Sequence, residues 1–316
     1  MSVLSAPHFH NEKAAYAHVE ARVWPNGPVC PHCGGFERIG KMGGKSTRIG
    51  TYKCYQCRKP FTVKVGTIFE ASHVPMRHWL QAMFLMASSK KGISANQLHR
   101  TLGCTLKTAW FIEHRLREAM ATGDIEPFGS GGTAVEADET FIGRRPNTPH
   151  NRTPIRNMNA VLTFVDRATG QAKSQVIDRL NAKTVGPILA KTVSIKARLM
   201  TDYGLHYFRH GWTYREHGRV NHSAGEYVSR TDPTVHINTV EGTFSIFKRG
   251  MRGVYQHCAT KHLHRYLAEF DFRYSNRMKL GVDDEMRADR ALVGAKGKRL
   301  TYRTTGGRRT APQAQA

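Results

Sequence analysis

The chain has 316 residues, 48 of them Lys or Arg against 24 Asp or Glu, for a formal net charge of +24 at 40% hydrophobic composition. A chain this long can bury real cores, and a field of that size draws in polyanions and releases their counterions, so nucleic acid is the expected partner. No membrane association is expected, because the longest uninterrupted apolar run, Ala82 to Ala87, is far too short to cross a bilayer; the first 25 residues contain no apolar signal-peptide core, and a cytoplasmic protein is expected.

Residues 1–27 form an N-terminal helical segment, with a short helix from Asn11 to Val23 ended by Trp24-Pro25-Asn26-Gly27. Residues 28–70 have the pattern of a zinc ribbon. Cys30-Pro-His-Cys33 and Cys54-Tyr-Gln-Cys57 are separated by 20 residues, enough to run out and back as a hairpin, so that four thiolates close on one tetrahedral Zn²⁺. Four cysteines leave no position for water, which makes the zinc structural. Two disulfides or a redox pair would use the same residues, but two matched pairs exceed what a redox motif needs and the chain has no secretory signature.

Residues 71–125 are helical in pattern. Pro75 suits a first turn, and Trp79, Ala82, Met83, Met86 and Ala87 recur at helical spacing. Ser94 caps a next helix, Gly103 supplies a left-handed turn and Thr105 caps another helix, a helix-turn-helix-like arrangement. The exposed face of its second helix is expected to present Lys107, Thr108, His114, Arg115 and Arg117 to DNA, the alternative being a plain helical hairpin.

The Gly-rich stretch Gly123 to Gly132 marks a domain boundary. Strands are expected at 133–143, 159–166, 172–178 and 197–202, a helix at 181–191, a further strand around 219–222 and a strong helix from Asn238 with the apolar stripe Val240, Phe244, Phe247 and Met251. The order points to an α/β domain of the RNase H type over 132–280, and the Lys-, Arg- and Gly-rich segment 294–316 to a disordered basic tail.

Asp138 lies mid-strand, Asp202 ends a buried strand and Glu241 sits in the first turn of the long helix, elements that pack side by side in such a sheet. Converging carboxylates repel, so they are held ionised by Mg²⁺ or Mn²⁺, and two ions bridged by a shared Asp can drive an in-line phosphoryl displacement. Lys248 follows Glu241 by seven residues, close to two helical turns, and would stand beside the acids to hold a phosphate, with Arg249 and Arg252 supplying further charge for DNA. Glu136 shares a strand face with Asp138 and could orient a metal-bound water, whereas Glu139 points the other way and is expected to be structural.

The ribbon, the helix-turn-helix-like region, Val135-Glu-Ala-Asp-Glu-Thr-Phe-Ile-Gly143, Thr201-Asp202 and His236-Ile-Asn-Thr-Val-Glu-Gly242 with Lys248-Arg249 resemble bacterial insertion-sequence DDE transposases of the ISXO type over nearly the whole chain. Val65-Gly-Thr-Ile-Phe69, Lys91-Gly-Ile-Ser94 and Glu269-Phe-Asp-Phe-Arg-Tyr274 belong to the same match. The resemblance implies Asp138, Asp202 and Glu241 as the acidic triad and Lys248 as the basic residue after it. Members have either Asn or Glu in third place; Asn238 and Glu241 both stand here, and Glu241 is preferred because a carboxylate neutralises a hard cation better than an amide. The function so implied is a nucleoid-associated transposase that binds double-stranded DNA at element ends as a homodimer or higher oligomer, then cuts and joins strands. The alternatives are a non-catalytic zinc-ribbon regulator and a structure-specific nuclease.

Overall fold

A computed structural model of the chain describes residues 2–123, 126–148 and 155–301. Helix α1 (Glu12–Val23) begins where Asn11 Oδ1 accepts the Ala14 amide at 3.1 Å. Its first residue, Glu12, accepts the amides of Met76 and Arg77 at 2.7 and 3.2 Å, at the start of helix α2 (Met76–Ser88). A carboxylate there meets unsatisfied amides at the positive end of the helix dipole, so α1 is pinned to α2. Helices α3 (Ala95–Leu102) and α4 (Leu106–Met120) follow, capped by Ser94 and Thr105, whose hydroxyls accept the amides of Gln97 and Thr108. Gly103 between them has φ +62°, the left-handed turn that glycine takes without cost from a Cβ.

One apolar core gathers Val19, Trp79, Met83, Leu98, Ile112, Leu116 and, from the far end of the chain, Leu292 of helix α9 (Asp284–Val293). The N-terminal helix and the last helix thus belong to the same bundle as residues 71–123. Residues 294–301, expected at the start of a disordered tail, pack on this bundle. Ile68 N donates to Ala295 O (3.2 Å), Gly297 N to Gly66 O (2.8 Å), and Lys298 Nζ to the carbonyls of Ala119 (3.2 Å) and Ala121 (2.5 Å) at the end of α4. Carbonyls at a helix C-terminus lack intrahelical partners, and a lysine supplies both donor and charge. Residues 302–316 of the expected tail lie outside the described residues.

The ribbon is a small antiparallel sheet of β1 (Ile39–Lys41), β2 (Tyr52–Cys54) and β3 (Pro60–Phe61). Its core is Cys30, Cys54 and Phe61, closed by Trp24, whose ring meets Tyr52 and Phe61 edge-on at 5.6 and 5.8 Å.

Among the described residues a second, mixed sheet joins β4 (Ala134–Arg144), β5 (Met158–Asp166), β6 (Ala172–Ile177), β7 (Arg198–Asp202) and β8 (Glu216–Val220) in the order β6-β5-β4-β7-β8. β4, β5 and β6 pair antiparallel, whereas β4, β7 and β8 run parallel. The chain crosses from β6 back to β7 through helix α5 (Ala182–Thr192). The apolar faces split by strand alternation: Ala137, Leu162 and Leu199 meet Val185 and Leu189 of α5 and Tyr207 of helix α6 (Leu205–Gly211). On the other face Val165, Met200 and Val220 meet Val240 and Phe244 of helix α7 (Asn238–Gly250), and Val161 meets Phe247 and Leu267 of helix α8 (Leu263–Ser275). The expected stripe Val240, Phe244, Phe247 and Met251 is buried throughout. Among the described residues no helix is long and apolar enough to cross a membrane.

Candidate active site

The four ribbon cysteines converge. Cys30 and Cys57 Sγ lie 3.6 Å apart, and Cys33 and Cys54 Sγ 3.7 Å apart. A tetrahedron with Zn–S bonds of about 2.3 Å has edges of about 3.8 Å, whereas a disulfide would need about 2.05 Å. The amides of Cys57 and Gln56 lower the pKa of Cys54 to about 7, whereas at Cys33 an amide contact from Gly35 is outweighed by burial and the neighbouring thiols, which push it up, as expected of four crowded thiols that share protons. The donor set and its spacing fit a structural zinc, held by the four ribbon thiols.

The acidic site forms at the switch point of the second sheet, where the chain order reverses between β4 and β7. β4 and β7 pair in the register Ala134↔Arg198, Val135↔Leu199, Glu136↔Met200. Carrying that offset two residues further sets Asp138 opposite Asp202, both on the face covered by α7, whose first turn holds Glu241. Burial pushes Asp138 up to about 8, and the charges of Glu139, Asp202 and Glu241 add to the rise against an amide hydrogen bond from Glu139 at 2.8 Å. Asp202 is also raised, first by burial and then by Glu139, while the Gly204 amide, His206 and His222 oppose the rise. His222 Nδ1 lies 3.4 Å from Glu241 Oε1. Asn238, at the start of α7, is exposed. Lys248 is partly buried on the same helix, and Arg249 and Arg252 are exposed beyond it.

Two acids behave differently from their sequence readings. Glu136 is fully buried and accepts Arg167 Nε at 2.6 Å and the Val240 amide of α7 at 2.8 Å. Arg167 also donates to the carbonyls of Thr234 and His236, at 2.6 Å each. Glu136 therefore fixes the N-terminus of α7, and with it Glu241, against the strand bearing Asp138, rather than orienting a metal-bound water. Glu139 does face away from α7, yet its carboxylate accepts Tyr207 OH at 2.9 Å and lies 3.1 Å from His206 Nε2. Glu139, Asp202 and His206 bring one ligand atom each within 4.8 Å of one another. The sequence signal for this cluster is His206 four residues after Asp202.

Helix α4 corrects part of the expected DNA-reading face. Lys107 is exposed and Thr108 partly so, in the first turn, but His114, Arg115 and Arg117 are buried. Arg115 donates to the carbonyls of Ile68 (2.6 Å), Glu70 (2.8 Å) and Leu300 (3.0 Å). Arg117 Nε donates to Glu269 at 2.7 Å and its Nη2 to Glu113 at 3.2 Å. α4 is packed by α2 and α9 on one side and by α8 on another, so its cations beyond the first turn face protein.

A four-cysteine ribbon and an acid-bearing mixed sheet thus stand in one chain. Residues 130–275 match the ISXO2-like transposase domain and residues 10–60 the transposase zinc-ribbon domain. The chain thus carries an ISXO2-like transposase domain behind a transposase zinc ribbon. It is 26% identical over 260 residues, 77% of this chain and 85% of the relative, to a protein of Halobacterium salinarum described as an uncharacterized protein in transposable element ISH50.

Proposed function

We propose that the chain is a DNA transposase that binds the ends of its insertion sequence and catalyses metal-dependent strand cleavage and strand transfer, with residues 132–280 as an RNase H-like catalytic domain. The strand order with three antiparallel and then parallel strands supports that fold reading. What supports the chemistry is that the β4–β7 offset sets Asp138 opposite Asp202 on the face covered by α7, near enough to Glu139, Asp202 and Glu241 for their charges to add to the burial that raises Asp138, while the ligand atoms of Glu139, Asp202 and His206 lie within 4.8 Å of one another. Carboxylates so crowded are a hard oxygen donor set suited to Mg²⁺ or Mn²⁺. Divalent cations held there supply activation of a water or 3′-hydroxyl and neutralise charge on the leaving oxygen. Asp138, Asp202 and Glu241 would hold the ions; His222, 3.4 Å from Glu241, would steady that carboxylate, and Lys248 would hold a phosphate beside the acids.

Element-end recognition rests on the ribbon and on the first turn of α4 through Lys107 and Thr108, with Arg249 and Arg252 contacting backbone phosphates. Transposition joins two ends, so a homodimer or higher oligomer on DNA is the working form.

The test uses supercoiled donor DNA bearing the element ends, with Mg²⁺ or Mn²⁺ and with Ca²⁺ as control. Asp138→Ala, Asp202→Ala and Glu241→Ala should each abolish nicking and joining while DNA binding persists, and Asn238→Ala should be milder. A stronger loss from Asn238→Ala than from Glu241→Ala makes Asn238 the third ligand. Full activity of Asp138→Ala or Asp202→Ala refutes the catalytic reading and leaves a DNA-binding regulator; nicking without joining leaves a nuclease.

A further inference from the structure

Helix α6 follows Asp202 by three residues and is amphipathic in an unusual sense. Its core contact is Tyr207, fully buried, whereas Leu205, Phe208 and Trp212, at i, i+3 and i+7, form a second apolar stripe turned to solvent. Leu205 is 85% exposed and Trp212 81%. Leaving that much apolar surface in water, three residues after Asp202, marks an interaction surface.

The stripe is interleaved with a cation. The Arg219 guanidinium, from β8, lies 4.9 Å from the Tyr203 ring centre and 5.3 Å from that of Phe208, and Phe208 meets Trp212 edge-on at 6.1 Å. Tyr203, Arg219, Phe208 and Trp212 thus form one continuous ladder of flat groups that starts at the residue after Asp202. Between residues 203 and 220 there are three arginines and one acid, Glu216, whose carboxylate is held by Arg198 at 2.6 Å. A nucleic-acid strand takes aromatic faces and positive charge together, and a chain of net charge +24 favours a polyanion as the occupant.

We propose that this ladder is a stacking platform for unpaired nucleobases of the strand that passes the acidic site. A seven-residue helix is about 10 Å long, and stacked bases rise about 3.4 Å each, so the ridge accommodates about two or three bases. Stacking on it draws bases out of the duplex beside the scissile phosphate and fixes the phosphate against the carboxylates. The proposal rests on the DNA-processing reading above, but its readout is binding rather than chemistry.

The test measures full-length protein in Ca²⁺ buffer binding a labelled duplex and the same duplex with a short internal mismatch bubble. Wild type should prefer the bubble. Trp212→Leu and Phe208→Ala should each lower bubble affinity by about 5- to 150-fold, the range for losing one base–aromatic stack, with little change for paired DNA. Trp212→Phe, which keeps a flat ring, should retain the preference. Trp212 is 81% exposed, so neither change at that position should move the thermal midpoint. Equal binding of both duplexes by wild type, or Trp212→Leu behaving as Trp212→Phe, overturns the proposal. So does a drop in oligomer size for Trp212→Leu in sedimentation, which makes the ridge a contact between copies. Wild-type nicking in Mg²⁺ with no bubble preference sinks the platform alone; a bubble preference with no nicking sinks the catalytic reading alone.

Discussion

Glu269→Gln should destabilise the protein by about 3–5 kcal/mol, the usual cost of removing one partner from a buried ion cluster. Glu269 of α8 is wholly buried and accepts Arg117 Nε of α4 at 2.7 Å, Arg273 Nη1, and the Tyr255 hydroxyl. Burial works against its charge, but Arg273 and Arg117 outweigh it and hold Glu269 below the ordinary carboxylate range. The other acid in the cluster, Glu113, is pushed up to about 7 by burial, so near neutrality it carries only part of a charge. Without Glu269, two buried guanidinium groups face that one half-ionised carboxyl. With an unfolding entropy of ~2.1 cal/mol/K per residue over 316 residues, a loss of that size lowers the midpoint by about 5–8 °C in a single transition. Thermal unfolding of zinc-loaded protein followed by circular dichroism measures it. In a double-mutant cycle Arg117→Met should cost less in the Glu269→Gln background than alone, by about 0.5–3 kcal/mol. A Glu269→Gln protein within about 0.5 kcal/mol of wild type, or strict additivity in the cycle, refutes the reasoning.

Purified protein should hold close to one zinc per chain, and Cys30→Ser should lose it and unfold residues 28–65; metal analysis showing no zinc in protein never exposed to chelator contradicts this. Lys107→Glu should weaken specific DNA binding without loss of stability, whereas Arg115→Ala should lower the unfolding midpoint by leaving the carbonyls of Ile68, Glu70 and Leu300 without their donor. The reverse pattern, measured by binding titration and thermal melts, would return Arg115 to the DNA surface. Asp271 gives a pH signature: burial raises its pKa to about 6, against hydrogen bonds from the Ser174 hydroxyl and amide at 2.7 and 2.6 Å. A carboxyl raised on folding binds its proton more tightly in the native state, so its contribution is full below about pH 4 and is lost as pH rises through about 6, at most about 3 kcal/mol. Asp271→Asn cannot titrate, so wild type should gain stability relative to the variant between pH 7 and pH 4, and a pH-independent difference would contradict the assignment.

What was legible in the sequence is what is local. Asn11, Ser94, Gly103 and Thr105 cap and turn the chain where their side chains and φ preferences require, because each needs only neighbours within about four residues. The apolar runs of β5 and β7 and the stripe of α7 likewise announced themselves by period. The strand expected around 219–222 runs from Glu216 to Val220, since Glu216-His-Gly-Arg has no apolar alternation and is a strand only because β7 pairs with it. The buried cations of α4 could not be read at all. Arg117 meets its carboxylate 152 residues away, and Arg115 meets a carbonyl 185 residues away. A helix packed on several sides by distant segments has no solvent face, so a period-based reading assigns its charges to solvent or to DNA by default.

The same distance explains why these residues matter to the whole molecule. Arg117 lies in the helical bundle, whereas Glu269 and Arg273 lie on α8, which packs against the acid-bearing sheet, and Tyr255 lies in the π-helical turn Met251–Tyr255 that continues α7. The cluster is therefore a bolt between the helices that would read DNA and the helix bearing Glu241 and Lys248. An ion cluster is a poor source of net stability but tolerates little misplacement, because a shifted guanidinium leaves a charge unpaired in a low-dielectric interior. Replacing Arg117, Glu269 and Arg273 together with apolar residues should restore stability toward wild type while loosening that registration. Recovery of the melting midpoint without recovery of strand joining would separate the two roles, and recovery of both would reduce the cluster to packing.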